Sequence, residues 1–119
     1  MANDDFRTLA SLSPKGNQFE DFEDGQVFKH HWGRTITDGD NILFSTQTLS
    51  FNPLYFSEPY AQSMGHEKMV VNPLLVFNMT FGMSVEDLSE AGGLFLGVDE
   101  CNFLCDVHVD DTLCTQSIV

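Results

Sequence analysis

Residues 73–82, Pro-Leu-Leu-Val-Phe-Asn-Met-Thr-Phe-Gly, decide how the rest of the chain must fold. Apolar side chains lie almost all round this segment at helical spacing. Its proline stands at a first-turn position, where a missing N–H costs nothing, and Asn72 precedes it as an N-cap. A helix that is apolar on every side has to be buried. The sequence therefore predicts that other elements enclose this helix.

Two further helices are predicted on either side of it. Thr37 stands as an N-cap followed by acidic side chains, which suit the positive end of a helix, and this helix is expected to run to about Leu49. Residues 84–88 carry a capping signature and predict a separate short helix that stops at residues 92–93, Gly-Gly. Three side chains are assigned to the inner face of the earlier helix: Ile42, Leu43 and Thr46.

Strands and a loop are predicted elsewhere. Residues 26–32 alternate apolar and polar side chains and predict a first strand, residues 94–106 a long strand, and residues 112–119 the beginning of another. Prolines make residues 50–59 a loop with at most a short helical turn after it. Three strands leave an open sheet edge and an incompletely wrapped helix, so we expect a dimer, a larger assembly or a fragment of a longer protein.

Composition limits the classes to which the protein can belong. Its 119 residues suffice for one domain, assigned to residues 18–119, with residues 1–17 as a flexible arm. A formal charge of −13 repels polyanions and argues against a nucleic-acid partner. No apolar run approaches the ~20 residues of a membrane span, and the amino terminus lacks the features of a secretory signal. We expect a cytoplasmic protein that does not bind membranes.

The three cysteines, Cys101, Cys105 and Cys114, are an odd number without paired spacing, which predicts reduced thiols rather than disulfides. Cys101, Cys105 and His108 suggest a zinc site as an alternative. A structural zinc site needs a fourth ligand at comparable spacing, which the sequence does not offer. The preferred prediction is no metal and buried thiols within a strand.

Five short motifs resemble those of one known family in their order and spacing. They are residues 19–26 (FEDFEDGQ), 33–41 (GRTITDGDN), 52–54 (NPL), 69–75 (MVVNPLL) and 110–113 (DDTL). Together they cover most of the chain. They resemble the MaoC-like dehydratase and (R)-specific enoyl-CoA hydratase family, nearest its mesaconyl-CoA (methylmalyl-CoA) hydratase-like branch.

This resemblance implies both a fold and a chemistry. The implied fold is the α+β hot-dog fold, in which an antiparallel sheet wraps around a central apolar helix, with the C-terminal strands missing from this chain. The implied ligand is an acyl-CoA thioester, with coenzyme A as part of the substrate and no separate cofactor. Hydration of an enoyl thioester needs a base for the water, an acid for the α carbon and donors for the enolate oxygen.

The family's acid and base lie in the pattern Asp-x-Asn-Pro-x-His, and the corresponding residues here are Ser50 and Tyr55 around Asn52. Serine has no useful proton affinity near neutral pH, and a tyrosine of ordinary pKa ~10 is a poor base. The catalytic candidates are therefore Tyr55, Ser50 and Asn52 as a degenerate set. Tyr55 is either a general acid or a plug of a redundant cleft, and Asn52 is structural in either case because Asn-Pro favours a turn.

Three residues are candidates for substrate binding: Asn72, Asn78 and Arg34. The family's His-Gly at the start of the central helix corresponds to Asn72-Pro73, and proline removes one N–H that could face the thioester oxygen. Asn78 aligns with a polar residue that could orient a ligand carbonyl. Arg34 either clamps a carboxylate or phosphate or forms a surface ion pair. The four histidines show no partner pattern that singles one out for catalysis.

Three functions compete. The first is a hydratase-type lyase acting on a mesaconyl-CoA-type substrate, with weak or no activity from this polypeptide alone. The second is a noncatalytic MaoC-like subunit that pairs with a catalytic homologue. The third is a thioesterase, which would want a carboxylate on the central helix, and none lies between residues 73 and 84. The lyase and the noncatalytic-subunit hypotheses both require the bend at residues 52–53 to open onto the start of that helix.

Overall fold

The computed structural model describes residues 16–119, so the predicted arm falls, for residues 1–15, outside the described residues. No helix within this range combines the length and the apolar character needed to cross a bilayer. Single 3₁₀ turns occur at Phe19–Asp21 and Pro53–Tyr55. The regular elements are, in chain order, β1 (Val27–Thr35), α1 (Asp38–Gln47), α2 (Glu58–Ser63), α3 (Pro73–Leu88) and β2 (Thr112–Ile118).

The two strands pair antiparallel into one two-stranded sheet. Their register runs from Val27 opposite Ile118 to Thr35 opposite Thr112, with a register shift in the middle of β1. The predicted first strand at residues 26–32 and the predicted last strand are both confirmed. The prediction of a loop at residues 50–59 is also close, because residues 50–57 contain one 3₁₀ turn and the short helix α2 begins at Glu58.

Helix α1 begins where the sequence predicts. Thr37 Oγ1 accepts a hydrogen bond from the Asp40 N–H, and the Asp40 carboxylate accepts one from the Thr37 N–H, which makes a reciprocal capping box. The predicted inner face is wrong, because Asn41 and Ser45 are the buried positions. The amide of Asn41 forms hydrogen bonds with backbone groups of two other segments, so its face of the helix points inward. The neighbouring apolar side chains therefore lie on the solvent side of the helix. The exposed side chains are Ile42, Leu43 and Thr46.

Helix α3 begins at Pro73 with Asn72 as its cap, as predicted. It continues unbroken to Leu88, so the predicted separate helix at residues 84–88 is wrong. The Ser84 hydroxyl donates to a carbonyl of the preceding turn at 2.7 Å instead of capping a new helix. One glycine inside a helix lowers the stability of the helix by only ~1 kcal/mol relative to alanine. This cost is too small to end α3 at Gly82.

Within the described residues α3 is only partly enclosed, which agrees with the expectation of an incompletely wrapped helix. Leu75 and Met83 are buried, and Leu75 packs with Ile36 and Val71 in the core. On other faces Leu74 is 55% exposed. The two strands pack against one side of α3, and apolar side chains on other faces, including Phe81, are exposed.

Residues 94–106 depart furthest from prediction. They form no strand, and every residue from 91 to 106 is exposed, with Leu96 94% and Leu104 93% accessible. A strand needs a neighbour to satisfy its backbone groups. Within the described part of the chain, no segment pairs with this one, so the sheet has two strands rather than three.

The thiols are therefore not buried in a strand as predicted. Cys101 and Cys105 lie in the irregular segment and Cys114 lies in β2, and all three are free and exposed. Among residues 16–119, no three histidine, cysteine, aspartate or glutamate side chains converge in a way that could hold a metal ion. The pattern of Cys101, Cys105 and His108 thus forms no such cluster.

A buried histidine joins the end of α3 to both strands. The side chain of His30 in β1 is fully buried. Its Nδ1 lies 2.5 Å from Asp87 Oδ2 of α3, and its Nε2 lies 2.8 Å from Ser117 Oγ of β2. Each ring nitrogen is thus satisfied inside the fold, which gives this histidine a structural role.

Candidate functional site

The loop at residues 50–56 is shaped by Asn52. Its Oδ1 accepts a hydrogen bond from the Leu54 N–H at 3.1 Å, and its backbone carbonyl accepts one from the Tyr55 N–H at 3.0 Å. Pro53 occupies the first position of the 3₁₀ turn, where its fixed φ is favourable. Asn52 therefore closes the turn that presents Tyr55, in agreement with its predicted structural role.

Asn41 attaches this loop to the start of α3. Its Nδ2 donates to the carbonyls of Tyr55 at 2.8 Å and of Val70 at 2.9 Å, while its Oδ1 accepts from the Asn72 N–H at 2.9 Å. Asn41 is fully buried, and a buried amide with three good partners is rigid because each lost bond would leave an unpaired polar group. The sequence analysis included Asn41 in a family motif but assigned it no role.

Asn72, a predicted substrate-binding residue, is buried and its polar atoms are used inside the protein. Its Oδ1 accepts from the Leu74 N–H at 3.0 Å, and its Nδ2 donates to Ser45 Oγ at 3.3 Å. Its backbone carbonyl accepts from the N–H groups of Leu75 and Val76. Pro73 has no N–H to offer. The first turn of α3 therefore has no free donor for a thioester oxygen.

A cavity of about 220 Å³ lies between the Tyr55 loop and the start of α3. Tyr55, His66 and Pro73 line it, together with Val76 of α3 and Asp106 of the irregular segment. Tyr55 is half-buried, and its hydroxyl makes no hydrogen bond with any described residue. The bend at residues 52–53 thus opens onto the start of the central helix, as the lyase and the noncatalytic-subunit hypotheses require.

The other predicted site residues do not line this cavity. Ser50 is joined to the end of α1 by its N–H, which donates to the Ser45 carbonyl at 2.8 Å. Asn78 is exposed and donates back to the Leu74 carbonyl of its own helix at 2.7 Å. Of the predicted set, the structure brings Tyr55 to the cavity and Asn52 and Asn72 to its supporting framework.

Arg34 lies at the end of β1 and pairs with Asp40 at 2.8 Å. It lines a shallow groove with Trp32, Met79 and Met83 instead of the Tyr55 cavity. Hydrogen bonds from Thr37, and then the Arg34 guanidinium, lower the pKa of the Asp40 carboxyl below its ordinary value of 3.8. The observed ion pair corresponds to the predicted surface alternative for Arg34.

His66, which no motif singles out, also lines this cavity. Its N–H donates to the Ala61 carbonyl at 3.0 Å, which holds it just beyond the end of α2 after Gly65, whose φ is +94°. Its Nδ1 lies 3.3 Å from Nε2 of His108. No motif signals this pair, because 42 residues separate the two histidines.

Comparison with known proteins identifies the family. The sequence profile of mesaconyl-CoA hydratase matches residues 4–119. The chain belongs to the mesaconyl-CoA hydratase family. Over 111 residues it is 42% identical to a β-methylmalyl-CoA dehydratase of Chloroflexus aurantiacus, covering 93% of this chain and 32% of the relative. Over 94 residues it is 36% identical to a mesaconyl-CoA hydratase of Haloarcula hispanica, covering 79% of this chain and 26% of that protein.

A solved structure supports the same assignment. The chain superposes with a TM-score of 0.81 and 39% identity on a Chloroflexus aurantiacus protein described as a MaoC domain dehydratase, covering 90% of this chain and 30% of that one. The predicted MaoC-like hot-dog fold is thereby confirmed, in the partial form that α3 and its two strands show. The chain spans about a third of the length of these relatives.

Proposed function

We propose that this chain forms part of a MaoC-like hydro-lyase that adds water to, or removes it from, an enoyl-CoA thioester of the mesaconyl-CoA type. The observation that carries the proposal is the cavity between Tyr55 and the start of α3. The family's acid–base loop and central helix are present in this chain, and Asn41 holds them together across that cavity.

In this proposal Tyr55 is the chain's own proton donor. Tyr55 is the polar residue of the loop that lines the cavity, and its hydroxyl has no hydrogen-bond partner among the described residues to compete with a ligand. Asn52 shapes the turn, and Ser50 and Asn72 fix the loop and helix against α1.

Coenzyme A belongs to the substrate in this proposal, so no separate cofactor is needed. The enzyme acts in the cytoplasm as an assembly of two or more such units.

Hydration can be measured through loss of the enoyl thioester absorbance with crotonyl-CoA and mesaconyl-CoA as substrates. Removing one hydroxyl by Tyr55→Phe is expected to lower kcat by roughly 10²-fold or more, the effect typical of a lost proton-transfer group. Tyr60→Phe is the matched control, because Tyr60 is an exposed tyrosine of α2 outside the cavity. Equal activity of Tyr55→Phe and the wild type would remove Tyr55 from the mechanism.

A second candidate is a noncatalytic subunit that completes a catalytic homologue. It is favoured by the first turn of α3, where every N–H is already bonded, and by the exposed apolar side chains of α3. Turnover that appears only when a homologue with the Asp and His pair is added, and that is unaffected by Tyr55→Phe, would support this role. Turnover by the purified chain alone would exclude it.

A further inference from the structure

We propose that His66 is the base that activates water in the reaction proposed above. The inference rests on the proposed function and extends it, since the family's own acid–base positions carry Ser50 and Tyr55. The feature that points to His66 is its place on the wall of the cavity that also contains Tyr55. Imidazole is the side chain that ordinarily exchanges protons near neutral pH.

The surroundings of His66 suit a group that takes and returns a proton. Half-burial leaves it open to the cavity, while the N–H bond to Ala61 fixes its backbone. His108 is its positioning partner: the rings approach to 3.3 Å, and one ring donates to the other. His108 is itself held by its N–H, which donates to Asp111 Oδ2 at 2.8 Å, and by its bridge to Val70.

Tyr55 of the same cavity supplies the acid, so the proton balance closes within one cavity. As the water oxygen bonds to the β carbon, His66 takes a proton from the water, and the electron pair of the double bond moves toward the thioester carbonyl. Tyr55 then gives its hydroxyl proton to the α carbon. The imidazolium returns its proton to the tyrosinate, and one water has been added with both residues restored.

The chemistry of the two side chains agrees with this division of roles. Histidine is the residue that most often acts as a general acid or base, and tyrosine can act as a general acid. Exchanging the family's pair for a tyrosine on the loop therefore does not remove acid–base chemistry from the cavity. It moves the base to the segment that follows α2.

The test measures kcat and KM for crotonyl-CoA and mesaconyl-CoA in whichever assembly turns over, the chain alone or the chain with a catalytic homologue. We expect His66→Gln to lower kcat by roughly 10²–10⁴-fold with KM nearly unchanged. Added imidazole is expected to restore part of the activity of His66→Ala. The control is His31→Gln, which removes an exposed histidine that pairs only with Glu86 among the described residues.

The possible outcomes separate this inference from the proposed function. Unchanged kcat in His66→Gln, with turnover by the wild type, overturns the role of His66 and leaves the hydratase assignment intact. No turnover in any assembly overturns both. Circular dichroism shows whether each variant folds.

A second measurement needs no variant. Crotonyl-CoA should protect His66 but not His31 from modification by diethyl pyrocarbonate. Equal labelling of His66 with and without crotonyl-CoA contradicts the proposal.

Discussion

At the scale of single residues, the site depends more on Asn41 than on any residue that the motifs single out. Its amide bonds two carbonyls and one N–H that belong to the Tyr55 loop and the segment leading into α3. Those backbone groups lie where no strand or helix partner is available for them. One buried side chain therefore fixes the loop and the start of α3 relative to each other beside the cavity.

Asn41→Ala should lower the free energy of unfolding by about 2–4 kcal/mol, because it leaves three polar backbone groups without partners. Urea denaturation followed by circular dichroism measures this difference. Gln47→Ala is the control, since Gln47 is an exposed residue of the same helix and its loss should cost less than about 0.5 kcal/mol. Equal stability of the two variants would show that the loop is held by other contacts.

At the scale of elements, the start of α1 is stabilised by charge as well as by hydrogen bonds. The Asp40 carboxylate accepts from the N–H and the hydroxyl of Thr37 and from Arg34, which joins this helix end to β1. These interactions lower the pKa of Asp40, the Thr37 bonds contributing most. Arg34 thus has a structural partner that a carboxylate or phosphate ligand would have to displace.

The pH dependence of this contribution has a definite sign. Since the pKa of Asp40 is lower in the folded state than its ordinary 3.8, the carboxylate stabilises the fold fully above that value and loses its contribution as pH falls through the lower, folded-state value. The stability difference between wild type and Asp40→Asn should thus be constant from about pH 7 to 5 and shrink below about pH 4.

Urea denaturation of the wild type and Asp40→Asn at each pH measures that difference. Gln47→Ala provides a control without a titrating group, for which the difference from wild type should not follow this pH course. A difference for Asp40→Asn that stays constant down to pH 3, or that grows as the pH falls, would contradict the assignment.

At the scale of the whole molecule, apolar surface remains where a wrapped helix should have none. Leu74 and Phe81 of α3 are exposed, and so is the irregular segment at residues 94–106 with its leucines. Contiguous apolar surface of this kind is typical of protein interfaces. The relatives are about three times as long as this chain.

Light scattering tests this expectation directly. The purified chain should have a mass above its 13.3 kDa monomer value, because association removes the apolar face of α3 from water. Phe81→Glu places a charge on that face and should shift the mass toward 13.3 kDa. Gln47→Glu, a charge added at an exposed site on α1, should leave the mass unchanged. A well-folded wild-type monomer would refute the prediction.

Local signals sufficed for the helices whose starts carry capping groups and for the two strands that pair with each other. Thr37 and Asn72 mark the starts of α1 and α3 correctly, and alternation marks β1 and β2. They failed at residues 94–106, where the same alternation forms no strand because the described chain supplies no neighbour for it. They also failed at Ser84, whose hydroxyl satisfied a carbonyl instead of starting a new helix.

The sequence by itself determined the family and the central helix with its cap. These properties reside in residue identity and local spacing. Only the tertiary structure decided that Asn41 holds the loop to α3 and that His66 and His108 meet beside the Tyr55 cavity. Hydrogen bonds between residues far apart in sequence leave no local periodicity, so their partners become visible only when the chain has folded.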